Sequence, residues 1–171
     1  YMTTLTKAQQ HIVAHKQYYD DLAKEISSNT SGRICHHRTR ILHAICKTLP
    51  IKTYLEIGVH SGASMSYVIH NTHKIDCYGI DLFDDTFGHY KVSDHITLQR
   101  TTQNINKNNN SHSTVQLIKG NSFKEETIKK LSNHLKTAKI DLLFIDGDHS
   151  FNGVAADFKN YTPFVKSNGI I

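Results

Sequence analysis

Four short apolar runs, each followed by a stretch with helical spacing, constrain the fold of this chain more than any other feature of its sequence. The runs read TYLEIG, DCYGIDL, TVQLIK and IDLLFI, and they occupy residues 53–58, 76–82, 114–119 and 140–145. Continuous apolar runs that alternate with helices are typical of a parallel sheet that helices cover on both faces. The pattern therefore predicts an α/β fold with a doubly wound parallel sheet.

The residues before the first run predict helices. Apolar side chains recur at helical spacing over residues 3–27, the segment SSNTSG interrupts them, and a second helix is predicted from about residue 33 to residue 48. We divide the chain into an N-terminal helical segment, residues 1–49, and a sheet domain, residues 50–171. The sequence leaves three roles open for the helical segment, which are to cap the ligand site, to cover the sheet or to form a dimer interface.

Three further segments carry local signals. Ser122 and Glu125 match an S-x-x-E capping box at the start of a helix, and the buried face of that helix is predicted to hold Phe123, Ile128, Leu131 and Leu135. A helix over residues 152–166 is predicted to present one apolar face, made of Val154, Phe158, Tyr161 and Val165. The asparagine-rich stretch 104–113 is predicted to be a loop.

The final residues, KSNGII, predict a fifth strand that has only begun at Ile170 and Ile171. On this interpretation the chain is a fragment of a longer protein. Otherwise the fourth strand lies at an uncovered edge of the sheet, where it invites pairing with another chain. We therefore consider a homo-oligomer, formed through an exposed sheet edge or through the N-terminal helices.

Composition and charge narrow the range of partners. The 171 residues, 38% of them hydrophobic, suit one domain. The net charge is +5, but the basic residues are mostly lysines spread along the chain, without the aromatic residues that stack bases, so we expect no nucleic-acid partner. No apolar stretch approaches the roughly 20 residues of a membrane helix. We expect no membrane partner and a cytoplasmic location.

Polar residues and glycines gather where the predicted strands end. In open α/β sheets a ligand binds beyond the carboxyl ends of the strands, near the point where strand order reverses. The residues at these positions are Glu56, Gly58 and Gly62, then Asp81 and Phe83, then Asn121 and Ser122, and finally Asp146 and His149. Their arrangement predicts a ligand site at this edge of the sheet.

The residue types point to a ligand that contains adenosine. Gly58 and Gly62 let the backbone turn tightly and approach a ligand without a Cβ. A helix that starts near Gly62 offers free N–H groups to a carboxylate or phosphate. Asp81, after the second strand, is placed to accept hydrogen bonds from both hydroxyls of a ribose. Asn121 has an amide oxygen suited to the exocyclic amine of adenine.

The glycine pattern leads to a family resemblance. The dinucleotide fingerprint G-x-G-x-x-G is absent, and E-x-G-x-x-x-G stands in its place. LEIGVHSG resembles motif I of the class I S-adenosylmethionine-dependent methyltransferases, and GIDLF, IKGNSF and DLLFIDGDHSFNGVAADFKNYTPFVKSNGI resemble the motifs that follow. The last stretch is similar to the small-molecule branch that includes macrocin O-methyltransferase-like and cephalosporin-hydroxylase-like proteins. Over roughly residues 50–171, the resemblance implies a Rossmann-like sheet with strand order 3-2-1-4.

The resemblance also implies how S-adenosylmethionine is bound. Glu56 and Gly58 would contact the methionine end, and Ser61 and Gly62 belong to the same implied cofactor-binding set. Asp81 would hold the ribose, and Phe83 would lie beside the adenine. Asn121 replaces the acidic residue that the family usually has after the third strand, and Ser122 follows it. Asp146 completes the implied cofactor-binding set.

Asp146 also matches a position that supplies one ligand to a divalent cation in metal-dependent relatives. The other carboxylate ligands of those relatives follow the fifth strand, so a Mg²⁺ site in this chain would be incomplete. The predicted reaction is methyl transfer to a hydroxyl of a small-molecule acceptor, in which alignment is the main catalytic task. The acceptor loses its proton either through Mg²⁺ on Asp146 or to His149 as a base.

Other interpretations of these residues stay open. The chain could be a truncated or degenerate domain that binds cofactor, or mediates association, without turnover. A nicotinamide-dependent oxidoreductase is a second alternative, against which the missing fingerprint counts. At the level of single residues, Phe83 suits core packing, Ser122 suits helix capping, and Asp146 and His149 suit an ordinary loop.

Overall fold

A parallel sheet of five strands lies at the centre of the structure, a computed structural model that describes residues 3–30, 34–84 and 96–171. In chain order the strands are β1 (Thr53–Ile57), β2 (Asp76–Asp81), β3 (Thr114–Lys119), β4 (Ile140–Ile145) and β5 (Val165–Ile170). They are arranged β3-β2-β1-β4-β5, and neighbouring strands are parallel. The predicted Rossmann-like sheet with order 3-2-1-4 is confirmed.

Helices flank the sheet on both faces. Within the described residues they are α1 (Thr4–Ala14), α2 (Lys16–Asn29), α3 (His36–Thr48), α4 (Ala63–Ile69), α5 (Leu98–Asn108), α6 (Glu125–Leu135) and α7 (Phe151–Tyr161). Residue 33, where the second helix was predicted to begin, lies outside the described residues. None of the described helices combines the length and the apolar character that a bilayer crossing requires.

Two hydrophobic cores hold the layers together. The first joins one face of the sheet to α1–α5 and includes Tyr19, Ile26, Leu42, Met65 and Ile105. The second joins the other face to α6 and α7 and includes Leu55, Ile57, Leu131, Leu135 and Tyr161. The central strand β1 is buried along its whole length, as expected for a strand covered on both faces. The N-terminal helices therefore cover the sheet.

A buried histidine ties these helices to α4. His43 is fully buried, and its Nδ1 lies 2.7 Å from the carbonyl oxygen of Tyr67, to which only a protonated nitrogen can donate. Its Nε2 lies 3.0 Å from the hydroxyl of Tyr18, so the neutral ring can donate at one nitrogen and accept at the other. Burial lowers the pKa of His43 from 6.5 to about 4, and the charge of Lys47 acts in the same direction.

This histidine makes acid lability an expected property of the fold. Between about pH 6.5 and 4 the unfolded chain binds a proton at His43 and the folded chain does not, so the free energy of unfolding falls as the pH falls, by up to about 3 kcal/mol. Urea unfolding at several pH values measures this slope. His43→Gln should flatten it, whereas His37→Gln, at an exposed position of α3, should not. Equal slopes in all three proteins would contradict the assignment.

The end of the chain differs from the prediction. The helix predicted over residues 152–166 ends at Tyr161, because Pro163 lies in the short 3₁₀ helix Thr162–Phe164 that follows and cannot continue an α-helix. The fifth strand begins at Val165, five residues earlier than predicted, and extends to Ile170. It pairs with β4, so β4 is not an edge strand.

Three local predictions were correct only in part. Residues 104–108 of the predicted asparagine-rich loop are the last turn of α5, where Asn108 is buried and its amide donates to the Asn104 carbonyl at 2.8 Å. Ser122 does not cap α6, which begins at Glu125, and Phe123 is 41% exposed. On α7 Tyr161 is buried as predicted, together with Gly153 and Asp157, whereas Val154 and Phe158 are exposed.

Candidate functional site

The loop after β1 passes between β2 and β4 at the carboxyl end of the sheet. The N–H of Gly58 donates to the Ile80 carbonyl at 2.9 Å, and the N–H of Asp146 donates to the Ile57 carbonyl at 2.8 Å. Gly58 has a φ of +89°, and a Cβ at this position would lie 2.3 Å from the carbonyl oxygen of Asp146. A glycine is therefore needed for the loops after β1 and β4 to approach so closely.

Gly58→Ala is expected to destabilise the protein by about 2–4 kcal/mol, because left-handed backbone strain adds to the steric overlap with Asp146. Urea unfolding measures the loss. Gly147→Ala is a matched control, since its added Cβ would meet its nearest atom, on Asp157, at 3.2 Å and no left-handed φ is involved. Equal stabilities of Gly58→Ala and the parent protein would contradict the argument.

The second glycine of the motif begins α4. Gly62 has a φ of +82°, and a Cβ there would come within 2.6 Å of the Ile105 side chain. Ser61 is buried, and its carbonyl accepts a hydrogen bond of 2.9 Å from the Asn104 amide of α5. Both residues, predicted as cofactor contacts, thus join the loop after β1 to α5.

Asp81 is held rigidly at the end of β2. Its Oδ2 accepts from the N–H of His60 at 2.8 Å, and its Oδ1 accepts from the N–H of Phe83 at 2.7 Å. Each carboxylate oxygen can accept a further hydrogen bond. The carboxylate predicted to bind a ribose is therefore oriented before any ligand arrives.

The other residues predicted near the adenine have structural contacts of their own. Phe83 is 3% exposed and packs in the first core, which is the core-packing role considered for it. The Oδ1 of Asn121 accepts from the N–H of Phe123 at 2.8 Å, and the hydroxyl of Tyr161 donates to the Ser122 carbonyl at 2.8 Å. These contacts fix the loop after β3, and adenine recognition by its residues stays a prediction.

Glu56 is a fully buried carboxylate below the loop after β1. The hydroxyl of Tyr54 donates to its Oε2 at 3.1 Å, and the hydroxyl of Ser64 donates to its Oε1. Burial raises the pKa of Glu56 from 4.5 to about 8, partly offset by these two hydrogen bonds and reinforced by the negative charges of Asp146 and Asp81. Such a group gains or loses a proton readily when a charged ligand binds beside it.

Asp146 meets two basic side chains. Nη1 of Arg38, on α3, donates to its Oδ1 at 2.8 Å, and Nε2 of His149 lies 3.2 Å from the same oxygen. The predicted catalytic pair is therefore in contact, and an arginine from the N-terminal helices joins it. The helical segment accordingly covers the sheet and also reaches the candidate site.

The residues that the structure describes around Asp146 do not form a Mg²⁺ site. Mg²⁺ prefers octahedral coordination by oxygen ligands, yet Oδ1 of Asp146 already contacts two nitrogen donors. Across residues 3–30, 34–84 and 96–171, no three His, Cys, Asp or Glu side chains are grouped so that they could hold a metal ion. The donor set around Asp146 suits proton transfer between side chains better than coordination of a metal.

Sequence reasoning missed Arg38, Tyr54 and Ser64. Arg38 lies 108 residues before Asp146, and no local motif marks it. Tyr54 was detectable in principle, since it precedes Glu56 by two positions and shares the same face of β1. Ser64 follows the second motif glycine by two positions, but only the start of α4 directs its hydroxyl to Glu56.

A methyltransferase-domain family model matches residues 55–171, which contain all the strand-end residues of the candidate site. The chain belongs to this methyltransferase family. It is 34% identical over 155 residues to an uncharacterized protein of Acanthamoeba polyphaga mimivirus, covering 87% of this chain and 63% of that protein. The chain thus spans less than two thirds of the length of this relative.

One solved structure shares the fold of this chain. A structure from Staphylococcus aureus, assigned provisionally as a caffeoyl-CoA O-methyltransferase, matches 95% of this chain and 70% of its own, with a TM-score of 0.63 and 20% identity. An O-methyltransferase family protein from Burkholderia thailandensis matches 99% of this chain and 52% of its own, with a TM-score of 0.49 and 12% identity. At these identities the first likeness shows a shared fold, and the second adds no weight.

Proposed function

We propose that this member of the methyltransferase family uses S-adenosylmethionine to methylate a hydroxyl group of a small molecule. The observation that carries the proposal is the preoriented carboxylate of Asp81, which two backbone N–H groups hold at the end of β2. It lies on the same edge of the sheet as the Gly58 loop and the buried Glu56. The chain also belongs to the methyltransferase family, which supports this cofactor.

Each end of the cofactor has residues that suit it. The Asp81 carboxylate accepts hydrogen bonds from ribose hydroxyls, and Glu56 faces the positively charged amino group of the methionine end. Gly58 lets the backbone approach the cofactor without a Cβ. When bound, S-adenosylmethionine supplies a methyl group on a sulfonium sulfur, and the sulfur keeps the electron pair of the carbon–sulfur bond as the acceptor oxygen bonds to the methyl carbon.

His149 and Asp146 handle the proton of the acceptor. Asp146 accepts from Nε2–H of His149, which leaves the lone pair of the neutral ring on Nδ1. This nitrogen takes the proton of the acceptor hydroxyl, so that the oxygen attacks as a stronger nucleophile. Solvent then receives the proton, since His149 is 66% exposed.

Calorimetric titration with S-adenosylhomocysteine, the product form of the cofactor, tests the cofactor assignment, with NAD as the control. We expect micromolar binding of S-adenosylhomocysteine and none of NAD. Binding of NAD alone would favour a nicotinamide-dependent oxidoreductase. Binding of neither would contradict the proposal for this chain. Formation of S-adenosylhomocysteine from S-adenosylmethionine in the presence of hydroxylated acceptors then separates an active enzyme from a domain that only binds the cofactor.

A further inference from the structure

A cation reaches the candidate catalytic pair from the N-terminal helices. The Arg38 guanidinium donates from Nη1 to Asp146 and from Nε to the sulfur of Cys35, at 2.8 and 3.4 Å. These two contacts anchor the guanidinium from both sides. The Arg38 side chain is still 52% exposed, so the remaining donors can meet a ligand that enters beside Asp146.

One oxygen of Asp146 orients both partners. Oδ1 accepts from Arg38 and contacts Nε2 of His149. The same carboxylate oxygen therefore positions both the positively charged guanidinium and the imidazole base. The ion pair between Arg38 and Asp146 joins α3 to the loop after β4. Because it is exposed, it contributes little to stability, so stabilisation alone does not explain it well. Its position at the site favours a functional role.

A divalent cation would compete with this arrangement. To bind Oδ1 it would displace Arg38 or lie a few ångströms from the guanidinium, where like charges repel. The anchored guanidinium of Arg38 can give the oxygen of the acceptor hydroxyl the fixed positive charge that a metal ion would otherwise supply.

We propose that Arg38 occupies the place of a divalent cation at Asp146, and that with His149 it activates an acceptor carrying a single acidic hydroxyl, of the phenol class, without metal. This inference rests on the proposed function. The acceptor proton passes to Nδ1 of His149, and the Arg38 guanidinium stabilises the negative charge that develops on the acceptor oxygen. An imidazole base removes a proton more readily from a phenol than from an aliphatic alcohol, because the phenol is the stronger acid. A chelated pair of neighbouring hydroxyls, which a metal would require, is not needed.

The first test asks whether Asp146 binds a metal. The full chain, saturated with S-adenosylhomocysteine, is titrated with Mn²⁺ and followed by electron paramagnetic resonance. We expect no Mn²⁺ binding that depends on Asp146. Binding that disappears in Asp146→Asn would overturn the proposal.

The second test measures turnover of a monophenol and of a catechol by formation of S-adenosylhomocysteine, with a chelator and with added Mg²⁺. We expect the monophenol to react equally under both conditions. Arg38→Met should lower kcat about 100-fold with little change in KM, and Arg38→Lys should restore part of the rate. Arg40→Met is the matched control, because Arg40 lies on the same helix but pairs with Asp20 at 3.1 Å, and its rate should be unchanged.

Two outcomes of the second test would overturn the inference. One is a rate that requires Mg²⁺, and the other is full activity of Arg38→Met. Failure of the proposed function is recognised separately, because the unaltered protein would then fail to bind S-adenosylhomocysteine in the calorimetric titration.

Discussion

Asp81→Ala is expected to weaken the binding of S-adenosylhomocysteine by about 100-fold to 10,000-fold, the largest loss we predict for one side chain. Hydrogen bonds to a charged group contribute about 1.5–3 kcal/mol each, and the carboxylate is placed to accept one from each ribose hydroxyl. Its orientation by the N–H groups of His60 and Phe83 requires no reorganisation on binding. Calorimetric titration measures the loss.

Two variants serve as controls for this result. Asp76→Ala removes an exposed carboxylate at the opposite end of β2, where it accepts from the Thr114 hydroxyl at 2.6 Å, and its affinity should equal that of the parent protein. Asp81→Asn keeps one oxygen acceptor, so an intermediate affinity is expected. A folded Asp81→Ala protein that binds as tightly as the parent would remove Asp81 from the site.

The second large effect concerns Glu56 and pH. With a pKa of about 8, Glu56 is mostly protonated at neutral pH in the free protein, while the ammonium group of the ligand favours the ionised form. Binding therefore releases a proton, and the affinity for S-adenosylhomocysteine should rise about 30-fold between about pH 6 and pH 8. Calorimetry in buffers of different ionisation enthalpy measures both the affinity and the released proton.

Glu56→Gln should abolish this pH dependence and lower the affinity at about pH 8 by about 30-fold, because the amide cannot become negatively charged. Asp157→Asn is the matched control, since Asp157 is also fully buried and burial raises its pKa, but it lies on α7 and is not assigned to the cofactor. An unchanged affinity of the parent protein across this pH range would show that Glu56 does not face the ammonium group.

These two residues show how much of the site could be predicted. Glu56 and Asp81 were found because each stands at the end of an apolar run, and the carboxyl ends of parallel strands meet at one edge of a sheet. Their environments were not predictable. The burial of Glu56 depends on Tyr54, on Ser64 and on the layers of helices above the sheet, and its raised pKa follows from that burial.

For the helices too, the sequence predicted most of the positions along the chain but not all of the buried contacts. Apolar periodicity predicted one helix over residues 3–27, where the structure has α1 and α2, and it located α3, α6 and α7. On α7 it placed Tyr161 correctly in the buried face but was wrong about its neighbours on that face. The structure buries Gly153 and Asp157 there and leaves Val154 and Phe158 exposed. The asparagines of α5 were predicted as a loop because asparagine is a poor helix former, but Asn104 and Asn108 gain buried hydrogen bonds that outweigh this preference.

The sequence by itself determined the alternation of strands and helices, the position of Gly58, and the acidic residues at the strand ends. These features depend on neighbouring residues, through side-chain periodicity and backbone conformation. Only the tertiary structure decided that Arg38 of α3 contacts Asp146, and that Arg38 and His149 contact the same oxygen of its carboxylate. That contact joins residues 108 positions apart, and it exists because α3 packs over the sheet in the same core as β1.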